Sequence, residues 1–464
     1  MAQLNTMDDT IMALATPSGA GAIAVIRLSG NDALLIADTV FRAKGKKTVT
    51  NADSHTILFG DIMDDDELVD EVLVSVFRNP KSFTGENSVE ISCHGSVFIQ
   101  KRILNLLSKN GCRMAKPGEY TMRAFMNRKM DLSQAEAVAD LIASSSEAAH
   151  KVAMHQMRGG FSAELKVLRE ELVHFASLIE LELDFSEEDV EFADRSQLIT
   201  LINRILTTIN RLIGSFELGN VIKEGVQVAI IGEPNAGKST LLNAFLNEDR
   251  AIVSDIAGTT RDTVEDELVI EGIKYRFVDT AGIRETTDTI ENLGIERTMQ
   301  KAEQADVVMF LFDAATYTSE RLKKEISELK SRKSDLEDRL ILVANKTDKT
   351  TESVATKFAD FNAVSISAKE KTGIDELKEK LTEFVNLSAL EEDQTIVTNT
   401  RHIEALNGAK NSLKEVLTGF EKQMPSDLVA IDIRRALFHL GEITGEITTD
   451  DLLGNIFSKF CIGK

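Results

Sequence analysis

Apolar residues along this chain recur with two periods, and the changes between them divide it. From 1 to about 120 short β-rich runs mix with helical ones. "GAIAVIRLSG" (21–30) and "SVEISCHG" (88–95) read as strands bounded by Gly and polar turns. "SVFIQKRILNLLSKNG" (96–111) reads as a helix with a Gly stop. From about 122 to 220 the pattern is helical: Leu165, Leu168, Leu172, Phe175 and Ile179 fall at spacings of 3 and 4, one stripe on a long helix. A similar stripe returns at Ile403, Leu406, Leu413, Leu417 and Phe420. Between the two, residues 221–384 alternate β-rich and helical stretches, the texture of a parallel sheet. Two helical blocks around an α/β unit predict a helical domain with the α/β domain inserted into it. The expected boundaries are 1–121, 122–220, 221–384 and 385–464.

Composition narrows this further. A chain of 464 residues is too long for one core, and about three domains are expected. No stretch approaches the roughly 20 apolar residues that span a bilayer. "MAQLNTMDDTIMALATPSG" has acidic rather than basic residues before its apolar run, so neither a secretory signal nor an Arg-rich transit peptide is expected. Three widely spaced cysteines, Cys93, Cys112 and Cys461, imply reduced thiols and a cytoplasmic setting. Seven scattered histidines show no zinc-type spacing, and "CHG" (93–95) reads as a strand end. The formal charge of −22 opposes nucleic-acid binding by the chain alone and calls for a basic patch or a more basic partner.

Chemistry is concentrated in the α/β segment. "VQVAIIGEPNAGKST" (226–240) is an apolar strand, then G-x-x-x-x-G-K-S, then a helix. Gly232 and Gly237 let backbone N–H groups face phosphate oxygens, and the helix N-terminus adds positive charge there. Lys238 can reach the β- and γ-phosphates, and the Ser239 hydroxyl can coordinate Mg²⁺. "LILVANKTD" (340–348) is a buried strand ending in Asn-Lys-x-Asp. The Asp348 carboxylate can accept from guanine N1–H and the 2-amino group, which adenine cannot supply. Asn345 and Lys346 brace the base and the phosphate loop. In "SISAK" (365–369) a backbone N–H near Ala368 is placed to read guanine O6. "YRFVDTAG" (275–282) supplies Asp279 for the Mg²⁺ shell and the Gly282 N–H for the γ-phosphate. "SDIAGTTRD" (254–262) supplies Thr260 as second Mg²⁺ ligand and switch element. The ordered set is that of Ras-like GTPases, so a doubly wound P-loop domain is expected. The GTP-contacting residues are then Asn235, Ala236, Gly237, Lys238, Ser239, Thr240, Ser254, Asp255, Ile256, Ala257, Gly258, Thr259, Thr260, Asp279, Thr280, Ala281, Gly282, Asn345, Lys346, Thr347, Asp348, Ser367, Ala368 and Lys369. After D-x-x-G, where such proteins place a water-orienting Gln, stands Ile283. Glu285, Asp288, Glu291 and Glu296 are the substitutes at hand.

Beyond these motifs the chain carries "DTIMALATPSGAGAIAVIRLSG", "PKSFTGENSVEISCHG", "KPGEYTMRAFMNRKMDLSQAEAVADLIAS" and "EITGEITTDDLLGNIFSKFCIGK". With "GEPNAGKS", "AGTTRD", "DTAGIRET" and "NKTD", it resembles the MnmE (TrmE) family of tRNA uridine modification GTPases from end to end. The resemblance implies an N-terminal α/β domain that binds a tetrahydrofolate one-carbon carrier (5,10-methylene or 5-formyl) and dimerises. It implies a homodimer working with the FAD-carrying flavoprotein MnmG, FAD entering only through that partner. The product is an aminomethyl or carboxymethylaminomethyl group on carbon 5 of the wobble uridine of certain tRNAs. The family's potassium site falls on Asn235, Ser254, Ile256 and Thr259, its water-positioning glutamate on Glu291, and its folate site on Arg27, Glu90, Lys129 and Lys464. "CIGK" (461–464) is then expected to fold back onto the N-terminal domain. Cys461 has two readings, a nucleophile toward a one-carbon unit or a uridine, and a small packed residue. A rival of another class is a GTP-gated RNA-binding switch in ribosome assembly without covalent chemistry. The G-domain motifs allow it; the two flanks and the lack of a basic RNA-binding segment oppose it.

Overall fold

The computed structural model describes residues 9–184, 195–248, 266–278, 304–332, 334–350, 353–385 and 395–463. The chain forms two compact units: one of residues 1–142, 155–206 and 404–464, the other of residues 143–154 and 207–403. The chain thus enters the second unit twice, briefly at 143–154 and then for the long segment 207–403.

The first unit begins with a mixed seven-stranded sheet: β1 (Ile11–Leu14), β2 (Ile23–Ser29), β3 (Phe41–Ala43), β4 (Thr56–Asp64), β5 (Glu67–Phe77), β6 (Ser88–His94) and β7 (Arg113–Met114), in the order β3-β4-β5-β6-β2-β1-β7. Helices α1 (Ala33–Val40) and α2 (Val97–Lys109) join its core. Alternation decides the faces. Ala24, Ile26, Leu28, Val74, Val89 and Ile91 point into that core, whereas Val25, Arg27, Glu90 and Ser92 point the other way. The predicted strands 21–30 and 88–95 and the helix 96–111 match β2, β6 and α2, and Gly111 after α2 has a φ of +103°. In chain order helices α3 (Glu119–Met126), α4 (Leu132–Ala143), α5 (Glu147–Met157), α6 (Gly160–Asp184), α7 (Arg195–Gly214) and α8 (Phe216–Glu224) follow, of which α8 and most of α5 belong to the second unit. On α6, Leu165, Leu168, Leu172 and Ile179 are buried, with Phe175 at the edge of the stripe.

The second unit holds a six-stranded sheet: β8 (Val226–Ile231), β9 (Asp266–Ile270), β10 (Ile273–Val278), β11 (Val307–Asp313), β12 (Leu340–Asn345) and β13 (Val364–Ser365), in the order β13-β12-β11-β8-β10-β9. All neighbours are parallel except the β9–β10 edge hairpin. Cores on both faces cover it, packed by helices α9 (Lys238–Glu248), α10 (Ser319–Arg332) and α11 (Ile374–Glu383). That burial explains the near-continuous apolar runs of β8, β11 and β12. The expected doubly wound P-loop sheet is present.

The chain closes with α12 (Thr400–Glu421), α13 (Ser426–Thr444) and α14 (Asp450–Ser458). Here the stripe differs from expectation. Ala405, Leu406, Ala409, Leu413 and Val416 are buried, while Ile403, Leu417 and Phe420 are only half-buried. The face rotates toward small residues because α13 comes close: a Cβ on Gly408 would lie 2.8 Å from the His439 ring. Bulk alone marks the wrong edge of such a helix.

Candidate functional site

Four strand ends of the second sheet converge on loops that the sequence marks for chemistry. After β8 the chain turns at Gly232, whose φ is +146°; a Cβ there would lie 2.0 Å from the Leu311 carbonyl oxygen, so no other residue fits. Asn235 at the exposed tip is left-handed, with a φ of +63°, a conformation Asn tolerates. Gly237 has a φ of +103° and would place a Cβ 2.3 Å from Asn345 Nδ2. Lys238 begins α9, so Ser239 and Thr240 stand exposed in its first turn, where helix N–H groups favour anions. Lys238 Nζ donates to the carbonyls of Gly232 at 2.6 Å and Glu233 at 2.9 Å. Burial holds this ammonium below the ordinary lysine value.

Asn345, at the end of β12, is 2% exposed and joins two loops. Its Nδ2 donates to the Ala236 carbonyl at 2.7 Å, and its Oδ1 accepts from the Ala368 N–H at 3.0 Å. That N–H, expected to read guanine O6, is therefore engaged with Asn345. Lys346 has a φ of +63° and donates from Nζ to Asp313 Oδ2 at 2.8 Å. Burial pushes Asp313 up, but the Lys346 ammonium and the Ala315 N–H outweigh it and the carboxyl ends below its ordinary range. Asp348 accepts from Ser367 Oγ at 2.6 Å, which lowers its pKa and keeps an oriented carboxylate at the rim. Thr347 N–H donates to the Ile366 carbonyl at 3.2 Å, pinning this turn to the Ser367–Lys369 loop, and Lys369 itself is exposed. The result is a glycine-turned loop and a carboxylate-bearing rim held together by one buried amide. Sequence reasoning missed Asp313; its signal was a lone carboxylate ending the apolar strand "VVMFLFD".

Ser254, Asp255, Ile256, Ala257, Gly258, Thr259, Thr260, Asp279, Thr280, Ala281, Gly282, Glu291 and Lys464 lie outside the described residues.

A second cluster sits on the outward face of the first sheet. Arg27 and Glu90 are directly opposed in the β2–β6 ladder. Arg27 Nε donates to Glu90 Oε1 at 2.8 Å, and Nη2 lies 2.8 Å from the same oxygen. Both of these contacts fall on Oε1, and Oε2 takes no part in them. The guanidinium lies between Phe83 and Tyr120, 5.9 and 5.7 Å from their ring centres, and the Tyr120 hydroxyl donates to the Arg27 carbonyl at 2.7 Å. Lys129 does not touch this pair; its Nζ donates to the Pro80 carbonyl at 3.0 Å. Phe83 and Pro80 belong to one loop, so Arg27 and Lys129 edge the same segment.

The chain's last described residues reach this cluster. Arg27 Nη1 donates to the Gly463 carbonyl at 3.4 Å, and the Gly118 N–H donates to the Cys461 carbonyl at 3.4 Å. A Cβ on Gly463 would lie 2.6 Å from the Leu14 carbonyl oxygen, and one on Gly118 would lie 2.5 Å from the Phe457 carbonyl oxygen. Two glycines with φ of +98° and +66° thus set the seat of the tail. Cys461 is exposed, while Cys93 and Cys112 are buried. Beneath the cluster Arg123, 1% exposed, meets Asp9 Oδ1 at 2.6 Å, Glu119 Oε1 at 3.1 Å and Glu86 Oε1 at 3.2 Å. This brace joins α3 to both edges of the site.

Comparison with known proteins gives consistent matches. A family described as "GTP-binding protein TrmE N-terminus" matches residues 10–129, and one described as "MnmE helical domain" matches residues 132–461. A Flavobacterium psychrophilum protein named tRNA modification GTPase MnmE is 58% identical over 460 residues, covering 98% of this chain and 99% of its own length. Relatives of the same name from Flavobacterium johnsoniae and Bacteroides fragilis are 57% and 53% identical, each over 98% of this chain and 99% of their own.

Proposed function

The chain belongs to the MnmE family of tRNA modification GTPases, and from that premise we propose a potassium-dependent GTPase that acts with an FAD-bearing MnmG-type flavoprotein. The pair uses a tetrahydrofolate one-carbon unit to place an aminomethyl or carboxymethylaminomethyl group on carbon 5 of the wobble uridine in certain tRNAs. The observation that carries this reading is the seated tail: Gly463 on Arg27, beside Glu90, in a chain that also holds the complete set of G-domain motifs. A GTP-timed assembly switch has no use for such a seat.

In the G domain the residues divide the work by position. The N–H groups of the Asn235–Thr240 loop and helix start meet the phosphates, and Lys238 exchanges its loop carbonyls for phosphate oxygens. Asp348 selects guanine through its two donors, while Asn345 keeps the base loop and the phosphate loop in register. Ser239 and Thr260 hold Mg²⁺, which supplies Lewis-acid charge to the phosphates. Asn235 offers a hard amide oxygen at the loop tip, and with Ser254, Ile256 and Thr259 it holds K⁺, whose charge replaces an arginine finger. Glu291 orients the attacking water, since Ile283 cannot.

On the first sheet the open Glu90 oxygen accepts from a pterin's paired N–H donors, with Lys464 of the tail beside the pterin, and the cations Arg27 and Lys129 meet the carboxylates of the glutamyl tail. The bound folate supplies the one-carbon unit. Homodimerisation is supported by the same sheet face, where Ile23, Ile57, Phe59 and Leu73 stand 66%, 65%, 51% and 48% exposed. With a charge of −22, most tRNA contact falls to the flavoprotein. No described helix is long and apolar enough to cross a membrane. The proposed location is the cytoplasm.

Mass spectrometry of tRNA nucleosides from cells with the gene deleted tests this. Loss of the carbon-5 modification, restored by the wild-type gene and not by a Glu291→Ala copy, is expected. Intact modification beside a ribosome-assembly defect would overturn the proposal.

A further inference from the structure

The phosphate loop contains a carboxylate that the sequence motifs leave without a role. Glu233 follows Gly232 directly, and its own carbonyl holds Lys238 Nζ at 2.9 Å. A negative side chain here opposes an anionic ligand, because unscreened like charges within about one Debye length (~8 Å) repel. The fold supplies a cation for it. Arg321, in the first turn of α10, forms an ion pair with Glu233, both side chains being 43% exposed. Arg321 is itself fixed from two other sides. Its Nε donates to Glu325 Oε1 at 3.0 Å, and its guanidinium lies 4.3 Å from the centre of the Tyr317 ring. Tyr317 is buried, and its hydroxyl donates to the other Glu325 oxygen at 3.1 Å. An exposed ion pair adds little to stability. A cation held in place by a buried ring and a second carboxylate has a different use.

We propose that Arg321 is a positioning residue for nucleotide binding: it turns the Glu233 carboxylate aside and neutralises it, so that phosphates can enter the loop. This rests on the guanine-nucleotide reading above. Arg321 acts through Glu233 rather than by touching the ligand. Two consequences separate this role from a purely structural latch. Removing the cation should weaken nucleotide binding in a salt-dependent way, and removing the carboxylate as well should restore it. A latch would be broken equally by either change.

The test is fluorescence titration of the full-length protein with a methylanthraniloyl derivative of GDP, at about 0.05 and 0.5 M KCl. Arg321→Gln is expected to raise Kd about five-fold at low salt and less than two-fold at high salt, as screening removes the repulsion. Glu233→Gln alone is expected to bind at least as tightly as wild type. The double variant Glu233→Gln/Arg321→Gln is expected to return to within two-fold of wild type. An unchanged Kd for Arg321→Gln, or a double variant as weak as the single, would overturn the proposal. Failure of the wild type to bind GDP would instead overturn the nucleotide reading, and this inference with it.

Discussion

The loops around Asn345 and the Arg27–Glu90 face are built by opposite routes. The first is assembled from contiguous motifs at the ends of parallel strands, each carrying its own chemistry and fastened by a few side-chain bonds. The second has no contiguous motif: it needs the register of two antiparallel strands, a loop from 80 to 87, and a tail carbonyl 436 residues from the arginine it meets. A site made of local pieces is recognisable from any one of them. A site made of register exists only when the whole unit has folded, so it should fail together with the packing beneath it.

That contrast is sharpened first at Arg123. Replacing it by Met removes the buried cation that Asp9, Glu86 and Glu119 share, leaving Asp9 and Glu119 to the more exposed Arg113 and Glu86 to the Ser29 hydroxyl. About 3–5 kcal/mol of first-unit stability should be lost, as is usual when one partner of a buried charge cluster is removed. Denaturant titration should show this in the first unit while GDP binding in the second persists. A variant as stable as wild type would mean that the brace is idle.

Asn345→Ala is the matching cut in the second unit. It orphans the Ala236 carbonyl and the Ala368 N–H together, at about 1–3 kcal/mol each, so GDP affinity should fall by about a hundred-fold. Folate binding should not move. If it does, the two sites are not separately built.

Arg27→Ala comes next. It removes a charge-assisted pair of about 1.5–3 kcal/mol and one anchor of the tail, and should weaken 5-formyltetrahydrofolate binding by about ten-fold or more without affecting GDP. Equal folate affinity would detach the pair from the pterin.

The smallest effect concerns the thiols. Burial pushes Cys93 to about 11, with nearby Asp70 adding to it, and pushes Cys112 to about 12. Both folded values exceed the unfolded value of 9.0, so their contribution to stability is complete below pH 9 and is lost as the pH rises through about 11 for Cys93 and about 12 for Cys112. At pH 8 a thiol reagent should therefore modify Cys461 alone in the native chain, and all three cysteines after denaturation. Rapid native labelling at Cys93 would place it outside the core.

What was legible in advance follows the same division. Gly232, Gly237, Asn345 and Asp348 announce a nucleotide fold because each motif packs strand, turn and chemistry into fewer than ten residues. The G-domain sheet and the long α6 stripe were equally readable, since bulky residues mark a face when the neighbouring helix stands at ordinary distance. The α12 stripe was misjudged because close packing selects Ala405, Ala409 and Gly408, which periodicity of bulk ignores. Residues alone gave no reason to place Arg27 against Glu90 or Gly463 against Arg27; resemblance supplied that expectation, and register with two positive-φ glycines supplies its physical cause. The engagement of the Ala368 N–H by Asn345 was invisible, because a motif names donors without saying which are already taken.

The most direct test of the account is calorimetric titration of 5-formyltetrahydrofolate into the full chain and into a chain ending at Phe460, with GDP binding measured on both. The account predicts tight folate binding that is lost with the last four residues while GDP affinity stays unchanged. A full chain that binds GDP but no folate would contradict it.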